Sequence, residues 1–238
     1  MRKIAFASRS LAGRLGGVAL ALVAGAPALQ AMEFSVVPLD GRCSDADCRR
    51  VVVADGEITS EAPAAFSRFL RQQLQVPGLH ALVFLNSPGG NVESALQLGA
   101  MLHDAGAAVV VGRPVAMQGQ AVPKKKTAMG SLGVVPGHCA SACVYSLMGA
   151  KKRVVPNGAR VGVHRMSARM WTRDPASGSA RGDRIFAGSK ELDALRTYVS
   201  RVGGSQDLIS LAESVPHDQI RMLSGPEVRK YRLGAPSL

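Results

Sequence analysis

The stretch Ala81-Leu82-Val83-Phe84-Leu85-Asn86-Ser87-Pro88-Gly89-Gly90-Asn91 joins an unbroken apolar run to a turn built from proline and glycine. Five consecutive apolar residues mark a strand buried on both faces, as in the middle of a parallel sheet. Helical spacing resumes after the turn, with Val92, Ala95, Leu96, Leu98, Ala100 and Leu102 as the apolar positions of a helix over 91–105. Gly106 stops it, and residues 107–111 form another buried strand. Upstream, 34–37 and 50–54 read as strands. A helix follows to about Leu74, with Phe66, Phe69, Leu70 and Leu74 at helical spacing, Thr59 or Ser60 as its cap and Glu61 in its first turn. Alternating strands and helices place the chain in the α/β class, with a sheet built from parallel crossover units.

Beyond residue 111 the rhythm breaks. Residues 112–136 are rich in Gly, Pro, Gln and Lys and read as one long loop, and 166–188 read as a second polar excursion. Between them lie a helix over 141–150 and short strands at 153–155 and 160–164. Helices over 191–202 and 206–214, and a helix start at Ser224-Gly225-Pro226-Glu227, complete the pattern. With 238 residues, no internal repeat and no linker, a single domain over 32–238 is expected.

Residues 1–31 stand apart. Arg2, Lys3, Arg9 and Arg14 form a positive start with no acidic residue, an apolar stretch covers 15–26, and Ala26-Pro27-Ala28 or Leu29-Gln30-Ala31 offers small residues for cleavage. That is the layout of a secretory signal peptide, so a secreted or periplasmic protein is expected; an uncleaved membrane anchor is the alternative. Removing this segment deletes four positive charges and no negative ones, so the formal charge falls from +12 to +8. A basic balance favours anionic partners, a membrane surface among them. Nucleic acid is not expected, because basic and aromatic residues do not interleave and the one tight basic run, Lys124-Lys125-Lys126, reads as a solvated loop.

The four cysteines fall as two close pairs, Cys43 with Cys48 and Cys139 with Cys143. In an oxidising compartment two local disulfides are the simplest account, with zinc as the competing reading. A bridge between positions four apart on one helix requires a distorted first turn.

Chemistry concentrates in three segments. The Gly89-Gly90 turn presents backbone amides at a helix start, where they can bind developing negative charge. Ser141, in Gly137-His138-Cys139-Ala140-Ser141-Ala142-Cys143, opens a helix beside small residues that leave room for a carbonyl. His164 ends an apolar strand 23 residues later. Together they are the parts of acyl transfer to a serine, a chemistry that needs no metal or cofactor. Taken singly, Ser141 reads equally as a helix cap and His164 as a strand-end histidine.

In order, Asn86-Ser87-Pro88-Gly89-Gly90, Gly137-x-x-Ala140-Ser141, Gly149-Ala150-Lys151-Lys152-Arg153, Val163-His164 and Leu223-Ser224-Gly225-Pro226-Glu227 resemble the motifs of the Clp protease proteolytic subunit, within the wider Clp/crotonase fold. The resemblance runs from about Val51 to Leu233. It implies repeated β-β-α units around a mostly parallel sheet, a peptide or protein substrate, and an assembly that is often a ring or stack of identical copies. It further implies Ser141 as nucleophile, His164 as general base, and the Gly90 and Ala142 amides as the oxyanion hole. The family's catalytic acid aligns with Ile220, so Asp218, two residues upstream, is expected to serve, with Asp207 and Glu213 as fallbacks. An exported member has no ATP to use. The expectation is an ATP-independent serine peptidase. The alternatives are a catalytically silent relative that binds peptide or partner protein, and an acyl-CoA enzyme, disfavoured because an exported compartment lacks that substrate.

Overall fold

The structure, a computed structural model, describes residues 30–39, 48–116, 132–175 and 177–237. The expectations for 1–29, for Cys43 and for Lys124-Lys125-Lys126 lie outside the described residues. In chain order come β1 (Glu33–Pro38), β2 (Arg50–Asp55), α1 (Ala62–Gln73), β3 (Leu79–Asn86), α2 (Val92–Asp104) and β4 (Ala108–Ala116). There follow β5 (Leu132–Pro136), β6 (His138–Ala140), α3 (Cys143–Gly149), β7 (Lys152–Val154) and β8 (Arg160–Val163). The last elements are β9 (Ser167–Arg173), β10 (Ala180–Phe186), α4 (Ser189–Arg201), α5 (Gln206–Ser214), β11 (Arg221–Met222) and α6 (Gly225–Lys230).

The architecture is mixed α/β with a mostly parallel sheet. β2, β3, β4 and β7 run parallel at its centre, while β1 and β5 add antiparallel edges. A smaller sheet sets β8 between β6, parallel to it, and β11, antiparallel to it. As the apolar run at 81–85 requires, β3 is covered on both sides: Val83 and Leu85 enter the large core beneath the helices, and Leu82 and Phe84 enter a smaller one with Leu39, Val51, Val110 and Leu132. None of the helices among the described residues is long and apolar enough to cross a membrane.

Three local readings change. The expected loop at 112–136 contains the ends of β4 and β5, paired from Gly112↔Pro136 to Ala116↔Leu132. Val134 and Leu132 bury against the smaller core there, an attraction that outweighs the glycines and prolines around them. The expected excursion at 166–188 contains a β9–β10 hairpin that pairs only with itself. Finally, α1 starts after Glu61, without a side-chain cap, rather than after Thr59 or Ser60.

Two contacts fix the ends of α3 and the helices around it. Arg153, half-buried, donates to the carbonyls of Met148 and Ala150 at the end of α3, of Val202 after α4, and of Arg232 after α6. One guanidinium thereby satisfies helix-end carbonyls that have no partner within their own helices. The second contact is backbone on backbone: a Cβ on Gly149 would lie 2.0 Å from the Gly99 carbonyl oxygen, so α2 and α3 touch with nothing between them. For Gly149→Ala the helix-propensity gain of about 1 kcal/mol is smaller than the overpacking cost of about 1–3 kcal/mol or more. A lower urea midpoint for Gly149→Ala, with unchanged slope, is the expected outcome.

Candidate active site

The turn after β3 is built by its own polar side chains. Asn86 is buried; its Nδ2 donates to Asp55 at the end of β2 and its Oδ1 accepts from the His138 amide at the start of β6. Asp55 is in turn paired with Arg113 and its carboxyl is held below the usual range: burial opposes this, but hydrogen bonds from Arg113 and Asn86 prevail. Ser87, fully buried, donates its amide to His138 and accepts from Ala140, and its Oγ accepts from the Gly89 amide at 3.1 Å. Asn86 and Ser87 are thus committed to structural bonds. They clamp β6, which leads into Ser141, against β3, and they shape the glycine turn. Sequence reasoning treated the motif as a source of amides and missed this clamp.

Gly89 and Gly90 both have positive φ, 106° and 133°. A Cβ on Gly89 would meet the Ala140 carbonyl at 2.6 Å and the Ser141 Cβ at 2.8 Å, so the turn rests directly on the serine elbow. Ser141 itself has φ 55°, a left-handed conformation that costs a non-glycine residue free energy and recurs at functional turns. Its amide is tied to Gly162 on β8, and the disulfide Cys139–Cys143 brackets it, with α-carbons 5.2 Å apart. The bridge runs from β6 to the first residue of α3, so it spans the elbow instead of lying along one helix. Cys48 is also disulfide-bonded. The Gly90 and Ala142 amides donate to no acceptor among the described residues, which leaves both free at the elbow.

Register brings the histidine in. β6 pairs with β8 as Cys139↔Val161 and Ala140↔Gly162, so the residue after each strand pair falls beside Ser141 and the end of β8. Ser141 Oγ lies 2.7 Å from His164 Nε2, within hydrogen-bond distance of a general base. The His164 pKa is lowered from its ordinary value: burial dominates, the nearby His217 main-chain carbonyl opposes it, and the His217 ring and Arg184 guanidinium add to the lowering.

The third position differs from expectation. His164 Nδ1 is buried without a hydrogen-bond partner among the described residues, so Asp218 does not bond the ring. Asp218 is exposed in the turn after Pro216, and it is the His217 main chain that lies near His164. The His217 carbonyl is close enough to favour an imidazolium yet completes no hydrogen bond with Nδ1. Ile220, where the family's acid aligns, packs over Gly162. Asp207 is exposed at the start of α5, and Glu213 is engaged by the Met166 amide and Arg165. No group of three or more His, Cys, Asp or Glu side chains among the described residues is arranged to hold a metal ion.

No protein-family model matches the chain, and no curated protein matches it in sequence. Solved structures similar to it include a Ser-to-Ala mutant of the 1510-N membrane-bound stomatin-specific protease, at 18% identity over 78% of each chain with a TM-score of 0.47. Another mutant of that protease, in complex with a substrate peptide, matches at 18% identity over 78% of this chain and 74% of that one, with a TM-score of 0.43. ClpP1 from Listeria monocytogenes matches at 21% identity over 77% of this chain and 88% of that one, with a TM-score of 0.44. With identities this low and TM-scores below one half, the site described above rests on the chain's own geometry.

Two outcomes follow from that geometry. Gly89→Ala places a methyl group into backbone and serine at an unfavourable φ, and is expected to abolish reaction of Ser141 with an active-site probe while the helical circular-dichroism signal persists. If His164 accepts the Ser141 proton, its neutral ring is the reactive form; burial disfavours the charged form, so reactivity should be fully present at pH 7. It should fall only below the ordinary histidine value of about 6.5, as seen in a pH profile of probe labelling or in the NMR titration of His164.

Proposed function

We propose that this chain is an exported, ATP-independent serine hydrolase, a peptidase of the Clp-like type, with residues 32–238 as one domain behind a signal segment at 1–31. Ser141 is the nucleophile and His164 the general base. The observation that carries the reading is the 2.7 Å approach of Ser141 Oγ to His164 Nε2, at an elbow where two amides have no acceptor among the described residues.

In the acylation step Oγ bonds to the scissile carbonyl carbon as its proton passes to Nε2. The carbonyl oxygen takes the negative charge and is held by the Gly90 and Ala142 amides. Collapse of the tetrahedral species breaks the C–N bond, and Nε2 returns the proton to the leaving amine. Water then repeats the sequence on the acyl-enzyme, restoring Ser141 and releasing the acid. Burial supports this scheme by keeping His164 neutral and ready to accept a proton.

The bare Nδ1 sets the rate. Loss of the carboxylate in a serine triad costs on the order of 10⁴-fold in turnover, so a slow hydrolase is expected unless peptide binding brings an acceptor to the ring. The same feature favours the second reading, a silent member of the fold that binds peptide. The test is a fluorophosphonate probe on oxidised, folded protein. Labelling of Ser141 that disappears in Ser141→Ala and is strongly slowed in His164→Ala supports the hydrolase. Absence of labelling over hours, with the fold intact by circular dichroism, gives the binding role precedence.

A further inference from the structure

The hairpin that leaves the site has two unlike faces. Its register sets Ser167 opposite Phe186, Arg169 opposite Arg184, Trp171 opposite Gly182, and Arg173 opposite Ala180. Directly opposed residues project to the same side of an antiparallel pair, so three arginines share one face with Trp171 and Phe186. On the other face Asp183 pairs with Arg181. Arg169, Arg173 and Arg184 have no carboxylate partner among the described residues. Like charges placed directly opposite each other disfavour a hairpin that has no third strand to support it. A locally unfavourable arrangement without a compensating carboxylate points to something outside the chain.

The same face is organised for contact. The Trp171 ring lies across Gly182, where a Cβ would meet it at 3.0 Å, and the Arg169 guanidinium sits 5.8 Å from the ring centre. Trp171 is 64% exposed, unusual for the chain's one tryptophan. Arg184 is fixed by a 2.8 Å bond to Ser167 Oγ. The base of the hairpin abuts the catalytic pair: Phe186 stacks edge-on against His217 and under Arg165, and Arg184 is near enough to His164 to disfavour its charged form.

We propose that this face is a subsite for acidic side chains of an extended polypeptide substrate. This inference rests on the hydrolase reading of Ser141 and His164. Charge complementarity selects a carboxylate-bearing occupant, and continuity with His164 selects the substrate over a bilayer, which has no need of a surface beside the catalytic pair. Arg169 and Arg173 are four residues apart, about 13 Å along a strand. An extended peptide therefore matches them with carboxylates four positions apart and presents the residue midway to Trp171.

The sole tryptophan reports occupancy directly. Ser141→Ala protein is titrated with a tryptophan-free peptide carrying Glu, Phe and Glu at alternate positions, with its Gln-Phe-Gln counterpart, and with phosphatidylglycerol vesicles, while Trp171 emission is followed. The acidic peptide is expected to bind about tenfold or more tightly than the amide peptide at low salt. That preference should vanish in Arg169→Gln/Arg173→Gln and survive in Arg229→Gln, an exposed control on α6. Equal affinity for the two peptides, a preference that survives the double substitution, or arginine-dependent capture of vesicles alone overturns the proposal. Fluorophosphonate labelling of the wild-type protein separates the two layers. Labelling without peptide discrimination removes the subsite alone, and discrimination without labelling removes the hydrolysis and leaves a peptide-binding face.

Discussion

The site depends on one steric condition: backbone must reach backbone where the Gly89-Gly90 turn meets the elbow at residues 140–142. There is no space for a single methyl group at Gly89, and the neighbouring elbow holds its serine in a conformation that ordinary residues avoid. Neither feature stabilises the fold. Both are imposed by surrounding contacts: Asn86 bridging three chain segments, Ser87 holding the glycine amide, the Ser141 amide tied to β8, and a disulfide closing the elbow from both sides. A left-handed serine persists only where its environment over-determines it. Here that environment also aims the hydroxyl at the imidazole.

The imidazole is less completely supported than the hydroxyl. Its Nε2 is engaged, its ring is half-buried, and its Nδ1 faces the region where the chain after Pro216 supplies a main-chain oxygen in place of a carboxylate. A carbonyl can select a tautomer, but it adds far less than a full charge to the stabilisation of an imidazolium. The Arg184 guanidinium and the His217 ring push the same way, both disfavouring positive charge on His164.

Much of this was legible in the sequence, for physical reasons that differ along the chain. β3 and α2 announce themselves because a twice-covered strand needs an unbroken apolar run and the following helix has regular spacing. Ser141 and His164 stand out because a nucleophile needs small neighbours and its base needs a rigid strand end. The pairing of β4 with β5 was hidden, since Gly112, Pro114, Gly133 and Pro136 resemble a loop and only tertiary burial of Leu132 and Val134 decides otherwise. The β9–β10 hairpin was hidden because its strands carry arginine, serine and glycine without an apolar face. Asp218 misled because two residues of path in a turn decide whether a carboxylate or a carbonyl reaches the ring, and spacing does not encode that choice. The left-handed backbone at Ser141 has no signature in residue type.

The bare contact between Gly99 and Gly149 has a mechanical consequence. Gly99 lies mid-way along α2, whose start follows the glycine turn, and Gly149 ends α3, whose start follows Ser141. The two helices thus meet at a point roughly 9–10 Å from their N-terminal ends, at 1.5 Å per residue. A tilt of only about 6° at that point shifts an end by about 1 Å, a displacement that can cost 10²-fold in rate. Leverage therefore places the spacing between Ser141 and the Gly90 amide under the control of that distant contact.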